Sequence, residues 1–283
     1  MNIVFVYNPN SGSALPLDVL RAKCDESGIK IQAFIAVEEG YEKKLKRYAK
    51  KDQTIAAYGG DGTISSVANI VAGTRANLAP LPGGTLNHFT KDLGISQEFD
   101  KALRGLKKGQ VKTVDVAEVN GTIFLNNSSI GLYPSSLQTR EHFEDKLGKW
   151  PAAVIGGIRT FIRYRTYELT ISGENVTTPF IFIGNNDYHL DKTDKAGRKR
   201  LDKGILSVYT INAASRRQLL GLLGWALVGR LSDAPEIKAW TAKEVTIHAK
   251  KPQLKISRDG ELDIIATPLN YKILPSRLRI IGN

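Results

Sequence analysis

The chain has 283 residues, and its 40 Lys and Arg against 28 Asp and Glu give a formal charge of +12 at neutral pH. That length allows two domains, each able to bury most of its apolar surface, and that charge favours anionic partners such as nucleotides, nucleic acid or acidic lipid headgroups. A single cysteine, Cys24, excludes an internal disulfide, and the four histidines (His88, His142, His189 and His248) share no short spacing suited to zinc. The apolar "IVFVY" follows only Met1 and Asn2 and reads as a strand, not as a secretory signal. The most lipid-like stretch, "LLGLLGWALVG" at 219–229, is far shorter than the ~20 residues that span a bilayer. A cytoplasmic protein is expected, soluble or peripheral at the inner membrane face.

The first 115 residues alternate strand and helix patterns. Apolar strands are expected near 3–7, 31–37, 54–58 and 78–81, with helices around 18–27, 42–51 and 63–72 between them. This alternation predicts a parallel sheet with helices on its faces, and ligands in such sheets gather beyond the carboxyl ends of the strands. After about Val116 the pattern changes to short strand-like runs ("TIFLNN", "YELTIS", "PFIFIGN", "ILSVYTI", "EVTIHA", "LKIS") joined by turns, with helical patterns near 140–147, 151–164 and 216–230. The expected architecture is an α/β domain over 1–116 and a mainly antiparallel β domain with inserted helices over 117–271. The last run, "RLRIIGN", rejoins the first domain from about residue 272. "DKTDKAGRKRLDKG" at 191–204 is polar enough for a long loop, and "KAGRKR" within it reads as a solvated surface.

Three polar, glycine-bearing segments each follow a strand: "NPNSG" at 8–12, "GGDGT" at 59–63 and "LPGGTLN" at 81–87. Glycine removes the Cβ that keeps a ligand off the backbone and permits positive φ, so consecutive N–H groups can converge on an anion. Thr63 is expected to open a helix whose N-terminus adds partial positive charge. Asp61 would repel a naked phosphate, and its presence makes sense if Mg²⁺, a hard cation shared with phosphate oxygens, stands between. Thr85 is a candidate cap for the helix that follows "PGGTLN", and Asn8 and Ser11 supply further polar groups at the end of the first strand. A turn that merely caps a helix is the alternative for each segment alone; three at one sheet edge favour a phosphate cradle.

"NPNSG", "GGDGT" and "PGGTLN" followed by "FTKDLGI", in that order and separation, resemble the catalytic domain of the diacylglycerol kinase family, which includes bacterial lipid kinases and sphingosine kinases. "LDKGILSV" at 201–208 is similar to the family's LDDGxLDV stretch, and "SRDGEL" at 257–262 to its DGE motif. The resemblance implies a nucleotide domain of the NAD kinase and phosphofructokinase type. It implies ATP between two domains, lined by Asn8, Ser11, Gly59, Gly60, Asp61, Gly62, Thr63, Gly84, Thr85 and Asn87. It implies Asp61 anchoring water and Mg²⁺ near the γ-phosphate, joined by Asp115. Glu261 would accept the proton of the acceptor hydroxyl, with Asp259 and Gly260 forming the turn that presents it. A carboxylate of ordinary pKa, ~4, is a weak base for an alcohol, but phosphoryl transfer through a loose transition state leans more on positioning and charge neutralisation.

Two departures stand out. The family commonly reads GTxND where His88 follows Asn87 here, and Ser13 and Ala14 follow "NPNSG" where many relatives place a basic residue. Asp202 resembles an acid that helps a second, structural Mg²⁺ in some relatives, with a plain loop acid as the alternative.

The expected acceptor is a lipid with a free hydroxyl, diacylglycerol first, reached by transient contact with an anionic membrane surface. "KWPAAVIGGIRTFIRYR" at 149–165 and "RRQLLGLLGWALVGR" at 216–230 combine apolar and basic residues suited to that contact or, alternatively, to the second domain's core. A homodimer is compatible with the sequence. The alternatives are a kinase for a soluble acceptor such as NAD, and a basic nucleic-acid-binding module; nucleic acid is not expected, because no helix-turn-helix, zinc-finger or RNA-reader motif occurs. GxxxxGK[ST], GxGxxG, HRD and DFG are also absent, which disfavours P-loop, dinucleotide-binding and protein-kinase readings.

Overall fold

The computed structural model describes residues 3–49, 52–131, 166–188, 198, 200–212, 218, 221, 222, 225 and 230–282. The helical patterns expected at 140–147 and 151–164, the 149–165 segment, most of 216–230 and most of the 191–204 loop lie outside the described residues. No helix among the described residues is long and apolar enough to cross a membrane.

In the first part of the chain each strand runs straight into a polar turn and then a helix. The elements are β1 (Ile3–Tyr7), α1 (Leu17–Glu26), β2 (Ile31–Ala36), α2 (Tyr41–Ala49), β3 (Thr54–Gly59), α3 (Asp61–Val71), β4 (Asn77–Pro82), α4 (His88–Asp92) and α5 (Phe99–Lys108). Strand side chains alternate between two apolar layers, which is why the runs are apolar on both faces. Ile3, Phe5, Ala56, Tyr58 and Leu81 pack with Leu20 and Cys24 of α1 and Leu103 and Leu106 of α5. Val4, Val6, Ile55, Ala57 and Leu78 pack with Leu45 of α2 and Ile64, Val67 and Val71 of α3.

These strands lie in the order β2-β1-β3-β4, all parallel. The chain moves outward from β1 to β2 in one direction and from β3 to β4 in the other, so the order reverses between β1 and β3. A crevice opens at such a reversal beyond the carboxyl ends of the strands. Tyr7 pairs with Tyr58 and Gly59 with Pro82, which brings the turns after β1, β3 and β4 to one edge.

The remaining strands are β5 (Gln110–Val119), β6 (Thr122–Phe124), β7 (Asn127–Gly131), β8 (Tyr167–Ile171), β9 (Glu174–Thr178), β10 (Phe180–Asn185), β11 (Leu206–Ile211), β12 (Ile237–Ala242), β13 (Glu244–Ala249), β14 (Gln253–Arg258), β15 (Glu261–Ala266) and β16 (Leu269–Gly282). An antiparallel sheet in the order β12-β11-β10-β7-β14-β15 faces the antiparallel extension of the first sheet. Ile130, Ile183, Val208 and Ile256 of the former pack between the two against Leu169, Val245, Ile247 and Tyr271 of the latter.

The strand carrying "RLRIIGN" joins both regions. Its first half pairs with β13, and its second half lies beside β4 through Ile280 and Leu78. Its register against β5 shifts between Leu274 and Leu278, and Ser276 in that bend takes a φ of 51°.

Asp115 holds the bend. It is 2% exposed, and its carboxylate accepts N–H bonds from Ser276 (2.8 Å) and Gly204 (2.7 Å), fixing β16 and the start of "GILSV" to one point. Asp115→Ala would leave those two N–H groups without their acceptor, each such loss costing about 1–3 kcal/mol. Urea unfolding of the purified variant is expected to show a loss of about 2–6 kcal/mol.

Candidate active site

The turn after β3 is drawn into α3 earlier than the sequence predicts: the helix begins at Asp61, with Gly60 as its N-cap in extended conformation. Asp61, Gly62 and Thr63 thus occupy the first turn, where backbone N–H groups have no intrahelical acceptor and the helix carries its positive end. Ile64 donates to the Gly60 carbonyl at 3.1 Å, closing the first turn.

Three turns lock onto one another around this point. Gly60 N–H donates to Ser11 Oγ (3.3 Å), Ser13 N–H to the Gly83 carbonyl (3.1 Å) and Gly83 N–H to the Gly59 carbonyl (2.9 Å). The glycines are needed for this approach. A Cβ on Gly84 would run into the Gly60 backbone, one on Gly83 would lie 3.0 Å from Gly59 Cα, and one on Gly59 would collide with the Thr63 side chain. Gly59 and Gly84, expected to let a ligand approach the backbone, also lack a Cβ for a reason internal to the protein: the Thr63 side chain lies against the first and the Gly60 backbone against the second. Gly60, where a Cβ would meet its nearest neighbour at 3.5 Å, is under no such pressure.

Thr63 and Asn8 face each other: Asn8 Nδ2 donates to Thr63 Oγ1 at 3.0 Å, and Thr63 is buried. Asn8 also accepts the Asn10 N–H at 2.9 Å, so both residues shape the cradle wall with their side chains already engaged. Thr85 does not cap α4. That cap position belongs to Asn87, in the left-handed conformation, whose side chain turns back to bond the Gly84 N–H and carbonyl at 2.9 Å each. Thr85 is exposed, with its hydroxyl beside Gly12.

The acceptor for the start of α4 comes from Asp61. Its carboxylate receives the His88 N–H (3.0 Å), the Phe89 N–H (2.9 Å) and Asn126 Nδ2 (3.3 Å). The substitution of His at position 88 therefore meets Asp61 through the backbone, which any residue would supply. Asp115, expected beside Asp61 at a metal, has its carboxylate on the Ser276 and Gly204 N–H groups, whereas that of Asp61 holds His88, Phe89 and Asn126. Asp202 is exposed and paired with Arg200 at 2.8 Å, which holds its carboxyl below the ordinary range.

The far sheet contributes the second acid. β14 and β15 form a hairpin in which Arg258 pairs with Glu261 across a two-residue turn, Asp259 (φ 48°) and Gly260 (φ 89°). Positive φ at both turn positions matches the right-handed twist of the strands. Asp259 is 8% exposed and accepts the N–H groups of Leu125 (2.8 Å), Asn126 (2.7 Å) and Asn127 (3.2 Å) as well as a bond from Ser65 of α3. Burial raises its pKa while these bonds pull it down.

Glu261 is thereby set onto α3. A Cβ on Gly62 would overlap its carboxylate, with the carboxyl carbon 2.9 Å away. A side chain at this helix position would have to displace the Glu261 carboxylate. Glu261 as a residue is open to solvent, but its carboxylate is tucked against the helix, and that desolvation pushes its pKa up, reinforced by Asp263 and Asp259 and opposed by Arg258. Asp61 and Glu261, 200 positions apart in sequence, thus flank one residue of one helix.

Sequence reasoning missed Asn126, Asn185, Asp92 and Arg198. Arg198, expected on a solvated surface, is 4% exposed; it pairs with buried Asp92 at 2.6 Å and donates to the carbonyls of Leu125 (2.7 Å) and Asn185 (3.0 Å). The legible signal was an Asn-Asn pair closing two apolar runs, at 126–127 and 185–186.

Residues 2–119 match the model of the diacylglycerol kinase catalytic domain, and residues 136–282 match that of the YegS C-terminal NAD kinase beta sandwich-like domain. A protein of Staphylococcus haemolyticus (strain JCSC1435), provisionally named a lipid kinase, is 25% identical over 256 residues, covering 84% of this chain and 79% of its own. Another so named, from Staphylococcus carnosus (strain TM300), is 26% identical over 231 residues, covering 79% and 74%. A crystal structure from Bacillus anthracis str. Sterne, described provisionally as a diacylglycerol kinase, has a TM-score of 0.76 at 25% identity and covers 100% of this chain and 97% of its own.

Asp259→Ala is expected to lower stability by about 3 kcal/mol or more, because three N–H groups lose their acceptor at about 1–3 kcal/mol each. Equilibrium denaturation measures it, and a change below 1 kcal/mol would remove the anchoring role.

Proposed function

The chain belongs to the diacylglycerol kinase catalytic-domain family, with a C-terminal domain of the YegS type, and from that premise we propose that it is an ATP- and Mg²⁺-dependent lipid kinase phosphorylating diacylglycerol. The observation that supports this reading most directly is the seating of the Glu261 carboxylate on Gly62, one residue from Asp61. A base and an anion-receptive helix start then share one crevice, as transfer of a phosphoryl group to a hydroxyl requires.

Among the described residues no three His, Cys, Asp or Glu side chains gather into a metal cage. Mg²⁺ is commonly held by one or two carboxylates together with substrate phosphates. Asp61 would hold it. A carboxylate offers roughly four acceptor positions, of which His88, Phe89 and Asn126 take three, leaving one for the ion or its water. When bound, the metal would neutralise charge on the phosphates.

The chain's own residues supply position and a proton acceptor. The first turn of α3 faces phosphate oxygens with free N–H groups, and the Ser11–Gly60 and Ser13–Gly83 bonds keep the three turns in register. Glu261 accepts the acceptor hydroxyl's proton as that oxygen bonds to the γ-phosphorus of ATP and the bond from this phosphorus to the β,γ-bridging oxygen breaks, with ADP as the leaving group. Its raised pKa makes it a better base than an ordinary carboxylate. The basic excess favours transient contact with an anionic membrane, where the acceptor resides.

Transfer of γ-phosphate from labelled ATP to diacylglycerol in mixed micelles tests the proposal, and no labelled lipid from diacylglycerol or a whole lipid extract overturns it. Asp61→Asn and Glu261→Gln are each expected to lower kcat by on the order of 100-fold or more, with circular dichroism unchanged; a normal rate in either removes that residue's role. Glu261 works deprotonated, so the rate falls as pH drops through its pKa, and the acid limb should lie above the ordinary value of 4.5 and disappear in Glu261→Gln.

A further inference from the structure

Asn126 is 3% exposed and uses each of its polar groups. Its Nδ2 donates to Asp61 Oδ1 (3.3 Å), its backbone N–H donates to Asp259 Oδ1 (2.7 Å), its carbonyl accepts the Asn185 N–H (2.9 Å), and its Oδ1 accepts Arg198 Nη2 (2.8 Å). One residue therefore touches both the acid at the start of α3 and the turn that presents Glu261. Arg198 fixes which way the amide points. A guanidinium donates only, so the oxygen of Asn126 must face Arg198 and the NH₂ must face Asp61.

The bonds close into a ring. Asp61 accepts from the start of α4, Asp92 at the end of α4 pairs with Arg198, Arg198 donates to Asn126, and Asn126 donates back to Asp61. Asn126 and Arg198, the buried members of this partly exposed ring, have their polar groups satisfied, and displacing either strands a polar group out of water.

We infer that Asn126, oriented by Arg198, is a positioning residue that holds Asp61 at a set distance from the Glu261 hairpin. This deepens and rests on the kinase reading above. Asn126 is not assigned contact with substrate; it acts through Asp61.

The test compares Asn126→Asp with Asn126→Ala in the full-length protein. Asn126→Asp keeps an oxygen for Arg198 but presents Asp61 with an acceptor in place of a donor, whereas Asn126→Ala removes both. A positioning role predicts that kcat falls at least tenfold in both variants while KM for diacylglycerol stays within threefold. Wild-type kcat in Asn126→Asp, or a loss carried by KM alone, overturns the inference. Hydrogen exchange at the His88 and Phe89 amides, whose acceptor is Asp61, reads the same position without turnover. Exchange at least threefold faster in both variants supports the inference, and unchanged exchange overturns it. Failure of the parent protein to phosphorylate any lipid would sink the kinase reading, while the exchange rates would still decide the place of Asn126.

Discussion

The Asp61 carboxylate on the N–H groups of His88 and Phe89 is the constraint around which the rest is arranged. A short helix such as α4, with an Asn in left-handed conformation at its cap and no side-chain bond of its own there, needs an acceptor from elsewhere. Supplying it from the first turn of α3 fixes the turn after β4 against the turn after β3. The same carboxylate draws in Asn126 from the other sheet. One acid thus sets three segments whose sequence positions are 61, 88–89 and 126, and the crevice between the sheets takes its shape from them.

The second acid reaches the crevice by a different route. Strand pairing alone places Glu261 at the hairpin tip, and the two positive-φ residues before it set the direction of the strand on which it lies. Burial of Asp259 under three backbone N–H groups anchors that tip. Burial and hydrogen bonding oppose each other in the ionisation of Asp259, with desolvation the larger effect. At Glu261 desolvation again leads, and it raises the basicity of a group whose proposed task is to take a proton.

Much of this was legible from residue order. The strands of the first sheet fall within a residue or two of their apolar runs, because β1, β3 and β4 are covered on both faces and nearly unbroken by polar residues; the edge strand β2 keeps its run despite the exposed Gln32. The Asp259–Gly260 turn was legible too, since that dipeptide between alternating strands has few other conformations. The start of α3 was misplaced by two residues because an N-terminal Asp and Gly can stand in a turn or in a first helical turn equally well. Asp115 could not be told from Asp61 by spacing: one lies inside β5 and the other opens α3, and only the bend in β16 shows what Asp115 holds. Arg198 sits in a run of Lys and Arg that looks solvated, and its burial follows from Asp92, 106 positions away. Long-range polar pairing of that kind leaves no periodic trace.

The last strand is common property of both regions, as β16 pairs with β13 along one half and lies beside β4 along the other. A truncation after β5 would therefore strip the first sheet of an interior member and leave the edge of β4 unpaired. The two halves are not modular pieces to be expressed apart or shuffled onto other scaffolds. Neither half can reach its mature form until β16 is in place.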